Sequence, residues 1–168
     1  MPPKELEKWA ARAVKLGAKT AKIIATETVK TAEWVRMKCR FGCGGWDGCL
    51  TCPPHSPMPQ QTQRMLDDYQ WAVLFRMKQG GSREIAAKLE REVFLAGYYK
   101  AFGMASGPCE LCAECDVEEP CRYPERARPA MEACGIDVFE TVRRNGFRIK
   151  VLTSTSQRGH YFGMVLIE

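Results

Sequence analysis

The sequence lacks most of the features by which common functional classes are recognised. It has no stretch of about 18 consecutive apolar residues, so no segment is predicted to span a membrane. Its first residues are charged and lack the apolar core of a secretion signal. We find no phosphate-binding loop, no dinucleotide-binding fingerprint and no serine–histidine–aspartate pattern. We therefore expect a cytoplasmic protein without membrane contacts, outside these enzyme classes.

Strong charge is also missing. The formal net charge is only +5, and basic residues do not interleave with aromatic ones as an RNA-binding sheet requires. We therefore expect no nucleic-acid partner. The 168 residues are 45% apolar and 27% charged, which is typical of a globular chain with a real hydrophobic core. We treat residues 1–168 as a single cysteine-rich metal-binding domain, for reasons given below.

Hydrophobic periodicity predicts an α/β or α+β fold, with helices packed on a single sheet of about five strands. Helices are expected over 4–16, from Pro59, from Ser82 and after Asp137, which has capping-box spacing to Glu140. A helical turn is expected at 129–133. The glycine- and proline-rich segments between these elements are predicted to be two metal-binding loops. The candidate strands are residues 22–25, 34–38, 71–75, 147–151 and 161–167.

Cysteine is the residue that the chain has in excess. Nine cysteines in a chain without a secretion signal argue against a disulfide framework, and the odd number prevents complete pairing. Closely spaced thiolates are instead the usual ligands of zinc and of iron–sulfur clusters. Eight of the nine fall into two groups, namely Cys39, Cys43, Cys49 and Cys52 in the first, and Cys109, Cys112, Cys115 and Cys121 in the second.

The second group has the more specific spacing. Cys109, Cys112 and Cys115 follow the pattern C-x2-C-x2-C, which bacterial ferredoxins use for a four-iron cluster. The fourth ligand of such a cluster is either Cys121, which follows after five residues, or Cys134 from the next turn. Zinc is the alternative, but its usual motif has two separated C-x2-C pairs. We predict a 4Fe-4S cluster at this group.

The first group has intervals of three, five and two residues and is followed directly by Pro53, as in ferredoxin motifs. Its four thiolates are enough for a second 4Fe-4S cluster, for zinc, or for thiols that bind nothing. If Cys49 is not a ligand, three thiolates remain and one iron is open to a substrate. Cys134, the ninth cysteine, is either a further ligand or a small buried hydrophobic residue.

Several segments of the chain resemble one family, the predicted metal-binding proteins of unknown function found in anaerobic bacteria and archaea. The resemblance runs from about Trp34 to the end and implies a small cytoplasmic metal-binding protein, without implying a reaction. In the family's first motif Cys39, Cys43 and Cys52 match and Cys49 departs, which puts a complete four-thiolate first site in question. The matching segments are Met37-Lys38-Cys39, Cys52-Pro53-Pro54-His55-Ser56-Pro57, Cys109-Glu110-Leu111-Cys112, Cys121-Arg122-Tyr123-Pro124 and residues 127–138.

Three functions are compatible with these patterns. The favoured one is an iron–sulfur electron-transfer accessory that carries two 4Fe-4S clusters and exchanges single electrons with a redox partner protein. The first alternative is an enzyme that uses an open-site 4Fe-4S cluster on a small substrate. The second alternative is a zinc-stabilised binding module. The acidic residues beside the second group predict either a solvated loop or a docking face for a basic partner; they are Glu110, Glu114, Asp116, Glu118 and Glu119.

Overall fold

The computed structural model describes residues 1–77 and 80–168 and contains, in this part of the chain, one antiparallel sheet with helices on both faces. The strand order is β1-β2-β4-β3. The strands are β1 (Thr20–Ala25), β2 (Trp71–Met77), β3 (Phe102–Met104) and β4 (Tyr161–Leu166). The helices are α1 (Glu7–Lys15), α2 (Glu33–Gly42), α3 (Pro59–Leu66), α4 (Ser82–Leu95) and α5 (Val138–Arg144), with short 3-10 helices at Lys4–Leu6, Thr26–Thr28 and Glu132–Cys134.

Strand β2 lies inside the sheet and is buried on both faces. Val73 and Phe75 pack into the apolar cluster formed with α1 and α4, which contains Leu89. Leu74 points to the opposite face, into a second cluster that contains Met131 from the segment before α5. Burial on both faces explains why β2 reads as a nearly continuous apolar run.

The structure confirms the predicted fold class, and its four strands are close to the predicted five. The predicted strands at 22–25, 71–75 and 161–167 correspond to β1, β2 and β4, and the predicted helices to α1, α3, α4 and α5. The cap of α5 is as expected, since Asp137 Oδ1 accepts the N–H of Glu140 at 2.9 Å. Within the described residues, no helix combines the length and the apolar character needed to cross a membrane.

Two of the predicted strands are wrong. Residues 34–38 lie in α2, where Val35 and Arg36 are both buried while Met37 is exposed, so burial follows a helical rather than an alternating period. Residues 147–151 form no strand, although Phe147 packs into the core and Ile149 packs against it. Strand β3 was missed because three residues are too few to show a period.

Candidate metal centres

The first cysteine group begins on a helix instead of following a strand. Cys39 lies in α2, and Cys43 is the residue that ends it. Arg36, Cys39 and Cys43 are spaced by three and four residues, so they share one side of the helix and its end. Cys49 and Cys52 follow in the loop and are buried. The helix therefore positions Cys39 and Cys43, and the loop after it positions Cys49 and Cys52.

The four thiols of the first group lie near one another. Burial, and after it the neighbouring thiols of Cys49, Cys43 and Cys39, together raise the pKa of the Cys52 thiol to about 12. The N–H of Gly45 donates to Cys43 Sγ at 3.4 Å. A Cβ atom on Gly45 would lie 3.5 Å from Cys43 Sγ and 3.8 Å from Cys52 Sγ. The glycine thus leaves free space beside two sulfur atoms, which suits a bound inorganic group.

Cys39, Cys43 and Cys52 line a groove with a volume of about 550 Å³. The groove runs between α2, the first cysteine loop and the segments on either side of α5, and Cys49 is not among its lining residues. Glu132 lines it as well, and the Oε2 atom of this residue is buried without a hydrogen-bond partner in the described structure. The apolar part of the wall includes Trp34, Trp46, Pro53, Ile136, Phe139 and Ile149.

Cys49 lies between the two groups and lines neither the groove nor the cavity of the second group. Its Sγ lies 3.4 Å from Thr51 Oγ1, and the backbone amide of Cys109 and the thiol of Cys52 are its other polar neighbours. Burial raises the pKa of Cys49, but the hydrogen bonds from Thr51, Cys109 and Cys52 outweigh it and leave the pKa below its usual value. The two cysteine groups are therefore neighbours at Cys49 and Cys109, each of which influences the pKa of the other.

All four cysteines of the second group line one cavity of about 230 Å³. Gly48, Leu50 and Thr51 of the first loop line it too, so the turn around Cys49 forms one wall of the second site. Cys134 lies elsewhere: its side chain is fully buried in the apolar core, and burial raises the pKa of its thiol to about 12. Of the two candidates for a fourth ligand, the structure places Cys121 with the other three.

Arg83, on α4, holds the base of the second cysteine loop. Its Nη2 and Nη1 donate to the carbonyls of Gly107 and Pro108 at 2.8 and 3.0 Å, and its Nε donates to the carbonyl of Arg128 at 2.9 Å. One guanidinium therefore joins the two ends of the loop. Burial raises the pKa of the Cys109 thiol, and the Leu111 N–H and the Arg83 charge partly offset this effect.

Arg36 holds the first cysteine loop in the same way, through hydrogen bonds to backbone carbonyls. It is 6% exposed, and its Nη1 lies 2.9–3.2 Å from the carbonyls of Ser56, Pro57 and Ala133 and from the Ser56 hydroxyl. These contacts tie the end of the first loop to the 3-10 helix before α5. Its positive charge also lowers the pKa of Cys39, against the larger effect of burial. A buried cation beside thiols favours their ionised, metal-binding form.

Two further polar residues close to the cysteine groups, His55 and Arg128, have structural partners. His55 Nε2 pairs with Asp47 Oδ1 at 2.8 Å within the first loop. Arg128 forms a two-pronged ion pair with Glu90 on α4, at 2.5 and 2.7 Å. Arg36 and Arg83 were not among the residues predicted to belong to a site. The helical spacing of Arg36 to Cys39 was the available signal, but it was hidden by the strand prediction for 34–38.

No three Cys, His, Asp or Glu side chains in residues 1–77 and 80–168 converge closely enough to hold a single metal ion. A tetrahedral zinc ion with bonds of about 2.3 Å needs sulfur atoms about 3.8 Å apart. A four-iron cluster needs a wider arrangement, because each thiolate binds a different iron. The chemistry of the donors, four thiols around one cavity and three along the groove, fits such a cluster.

Taken together, the fold and the two thiol groups define a cysteine-rich metal-binding protein. A family model described as "Predicted metal-binding protein (DUF2284)" matches residues 22–167. The chain therefore belongs to this family, as the sequence resemblance indicated. No curated protein and no solved structure matches it.

Removing the metal should open the second loop without unfolding the sheet. The loop has no helix or strand between Cys109 and Cys121, whereas the two apolar clusters on the sheet contain none of the eight grouped cysteines. We expect an anaerobic chelator to speed tryptic cleavage at the exposed Arg122 and Arg126 about tenfold or more, with unchanged far-ultraviolet circular dichroism. Equal cleavage rates with and without metal would contradict this prediction.

Proposed function

We propose that this chain is an iron–sulfur redox enzyme with two 4Fe-4S clusters, the first facing a substrate groove and the second exchanging electrons with a partner protein. One observation carries the proposal. Three cysteines of the first group line the groove of about 550 Å³, while all four cysteines of the second line a separate cavity. A pure electron-transfer protein needs no groove at either site, so the geometry favours the open-site alternative.

The residues divide between two sites. Cys109, Cys112, Cys115 and Cys121 would hold the second cluster. Cys39, Cys43 and Cys52 would hold the first, with one iron left for a substrate because Cys49 does not line the groove. When bound, the clusters supply one-electron transfer. The chain itself positions the thiols, neutralises part of their charge through Arg36 and Arg83, and separates the two sites by the turn around Cys49.

The second site has the properties of a docking face. All five acidic residues of its loop, Glu110, Glu114, Asp116, Glu118 and Glu119, are exposed. Two of them, Glu114 and Asp116, line the same cavity as the cysteines. A negative surface of this kind steers a basic partner towards the site, and the effect weakens as the salt concentration rises. We infer that the redox partner presents basic residues here.

The zinc-stabilised module remains the competing proposal. What supports iron–sulfur chemistry is the C-x2-C-x2-C spacing together with four thiols arranged around a cavity of about 230 Å³. A single ion needs far less space, since a site of about 10–15 Å³ already accepts one water molecule.

Anaerobically purified protein should be brown and contain iron and sulfide for two clusters, with little zinc. The dithionite-reduced protein should give two low-temperature EPR signals, and cyanide should shift one of them by binding an iron without a protein ligand. Cys52→Ser should remove the cyanide-sensitive signal, and the matched variant Cys115→Ser should remove the other. Cys52 and Cys115 belong to different groups, so the pair assigns each signal to its site.

The contrary results are distinct. A colourless protein with zinc in place of iron would indicate a zinc-stabilised binding module, and the proposed iron–sulfur function would be wrong. Two clusters whose signals both ignore cyanide would instead show an electron-transfer accessory, and the proposed enzyme would be wrong.

A further inference from the structure

We propose that the groove beside Cys39, Cys43 and Cys52 binds small aromatic carboxylates, with the ring inside and the carboxylate at the mouth. This inference rests on the proposed function, because it names the substrate class of the same groove. The groove has aromatic walls, a basic mouth and a floor that disfavours anions.

The walls are aromatic. Trp34 of α2, Trp46 of the first loop, Phe139 of α5 and Tyr161 of β4 all line the groove. Trp34 is 50% exposed, although a large apolar side chain is stabilised by burial. A volume of about 550 Å³ lies in the range of small-molecule sites, about 300–1,000 Å³. Planar rings stack well between such side chains, so the walls favour an aromatic ligand.

The mouth is basic. Lys38 and Lys150 line the groove and are exposed, and neither makes a side-chain hydrogen bond or ion pair in the described part of the chain. Asp137 also lines the groove and caps α5 by accepting the N–H of Glu140, and the two lysines outnumber its single negative charge. The uncompensated charge at the mouth is therefore positive and attracts an anion.

The floor repels an anion. It carries the buried Cys52 and the buried Oε2 atom of Glu132, which already lacks a hydrogen-bond donor among the described residues. A carboxylate placed here would lose its hydration and would meet further acceptor atoms, both of which raise its free energy. An aromatic carboxylate therefore enters with its ring towards the cysteines and its charge towards Lys38 and Lys150.

Calorimetry on the anaerobic, cluster-loaded protein tests this orientation with three probes. Phenylpropanoate has the ring and the charge, its methyl ester lacks the charge, and propanoate lacks the ring. We expect phenylpropanoate to bind at least about tenfold more tightly than either of the others, and its affinity to fall as salt is added. Absence of phenylpropanoate binding, or equal binding of the ester, would overturn the inference.

Two pairs of variants locate the site. Lys38→Glu and Lys150→Glu should each weaken phenylpropanoate binding several-fold, whereas Lys15→Glu, the same charge change at an exposed position of α1, should not. Trp34→Ala should weaken binding, and Phe94→Ala, which removes a 53% exposed aromatic ring from α4, should leave it unchanged. Equal effects of a variant and its control would overturn the inference.

Iron and sulfide are counted in every sample, so the two proposals fail separately. If wild-type protein contains both clusters but does not bind phenylpropanoate, the inferred ligand class is wrong and the proposed function is unaffected. Wild-type protein without iron and sulfide refutes the proposed function.

Discussion

Replacing Cys112 by serine is expected to remove about half of the iron from anaerobically purified protein. Cys112 is the middle residue of the C-x2-C-x2-C motif, and it lines the same cavity as Cys109, Cys115 and Cys121. Serine is a poor ligand for iron, so a cluster with three remaining thiolates should be lost or strongly weakened. The cluster at Cys39 should persist, because it depends on another loop, and its EPR signal should remain.

The matched control for this prediction is Cys134→Ala. The Cys134 thiol is fully buried in the apolar core, and burial raises its pKa to about 12, so it remains a neutral thiol at neutral pH. We expect the alanine variant to keep all of its iron and to lose only the packing of one small side chain. An unchanged iron content in Cys112→Ser, or a loss of iron in Cys134→Ala, would refute the proposed ligand set.

Replacing Arg36 by methionine is expected to lower the free energy of unfolding by about 3–5 kcal/mol and to reduce the iron bound at the first group. The guanidinium lies within 3.2 Å of four oxygen atoms of Ser56, Pro57 and Ala133. Methionine has a similar length but donates no hydrogen bond, so buried carbonyl oxygens would lose their partner. The loop that carries Cys52 would then lose its tie to the core.

Arg40→Met provides the control, because Arg40 is exposed and its guanidinium lies over the rings of Phe41 and Trp46. We expect this change to alter stability by less than about 1 kcal/mol. Chemical denaturation of the metal-free proteins measures the free energy of unfolding, and iron analysis of the anaerobic proteins measures how much iron the first group binds. Equal stabilities of Arg36→Met and Arg40→Met would show that the buried contacts do not hold the loop.

The metal-binding class could be predicted from the chain because cysteine spacing is a local property. Residues at steps of three in one loop stay near each other whatever the surrounding fold, so Cys109, Cys112 and Cys115 had to form one group. The central strand was predictable for a similar reason, since only a strand buried on both faces explains the apolar run from Trp71 to Phe75.

The wrong strand prediction for residues 34–38 shows that a short segment does not always determine its own secondary structure. The alternation of Trp34, Val35, Arg36 and Met37 is compatible with a strand, but a buried arginine is acceptable only where the fold supplies acceptors. Those acceptors come from Ser56, Pro57 and Ala133, up to 97 residues away. These acceptors stabilise a helix with Arg36 and Cys39 directed inward. The sequence of residues 34–38 contains no information about the acceptors, because they come from distant segments.

The sequence by itself determined that this chain binds metal, which residues carry the thiols, and that helices cover a small sheet. Only the tertiary structure decided that the two cysteine groups are neighbours at Cys49 and Cys109, that Cys121 rather than Cys134 lines the cavity of the second group, and that a groove opens beside the first. Spacing along a loop defines local distances, whereas contacts between loops depend on how distant segments pack and satisfy one another's buried charges and hydrogen bonds.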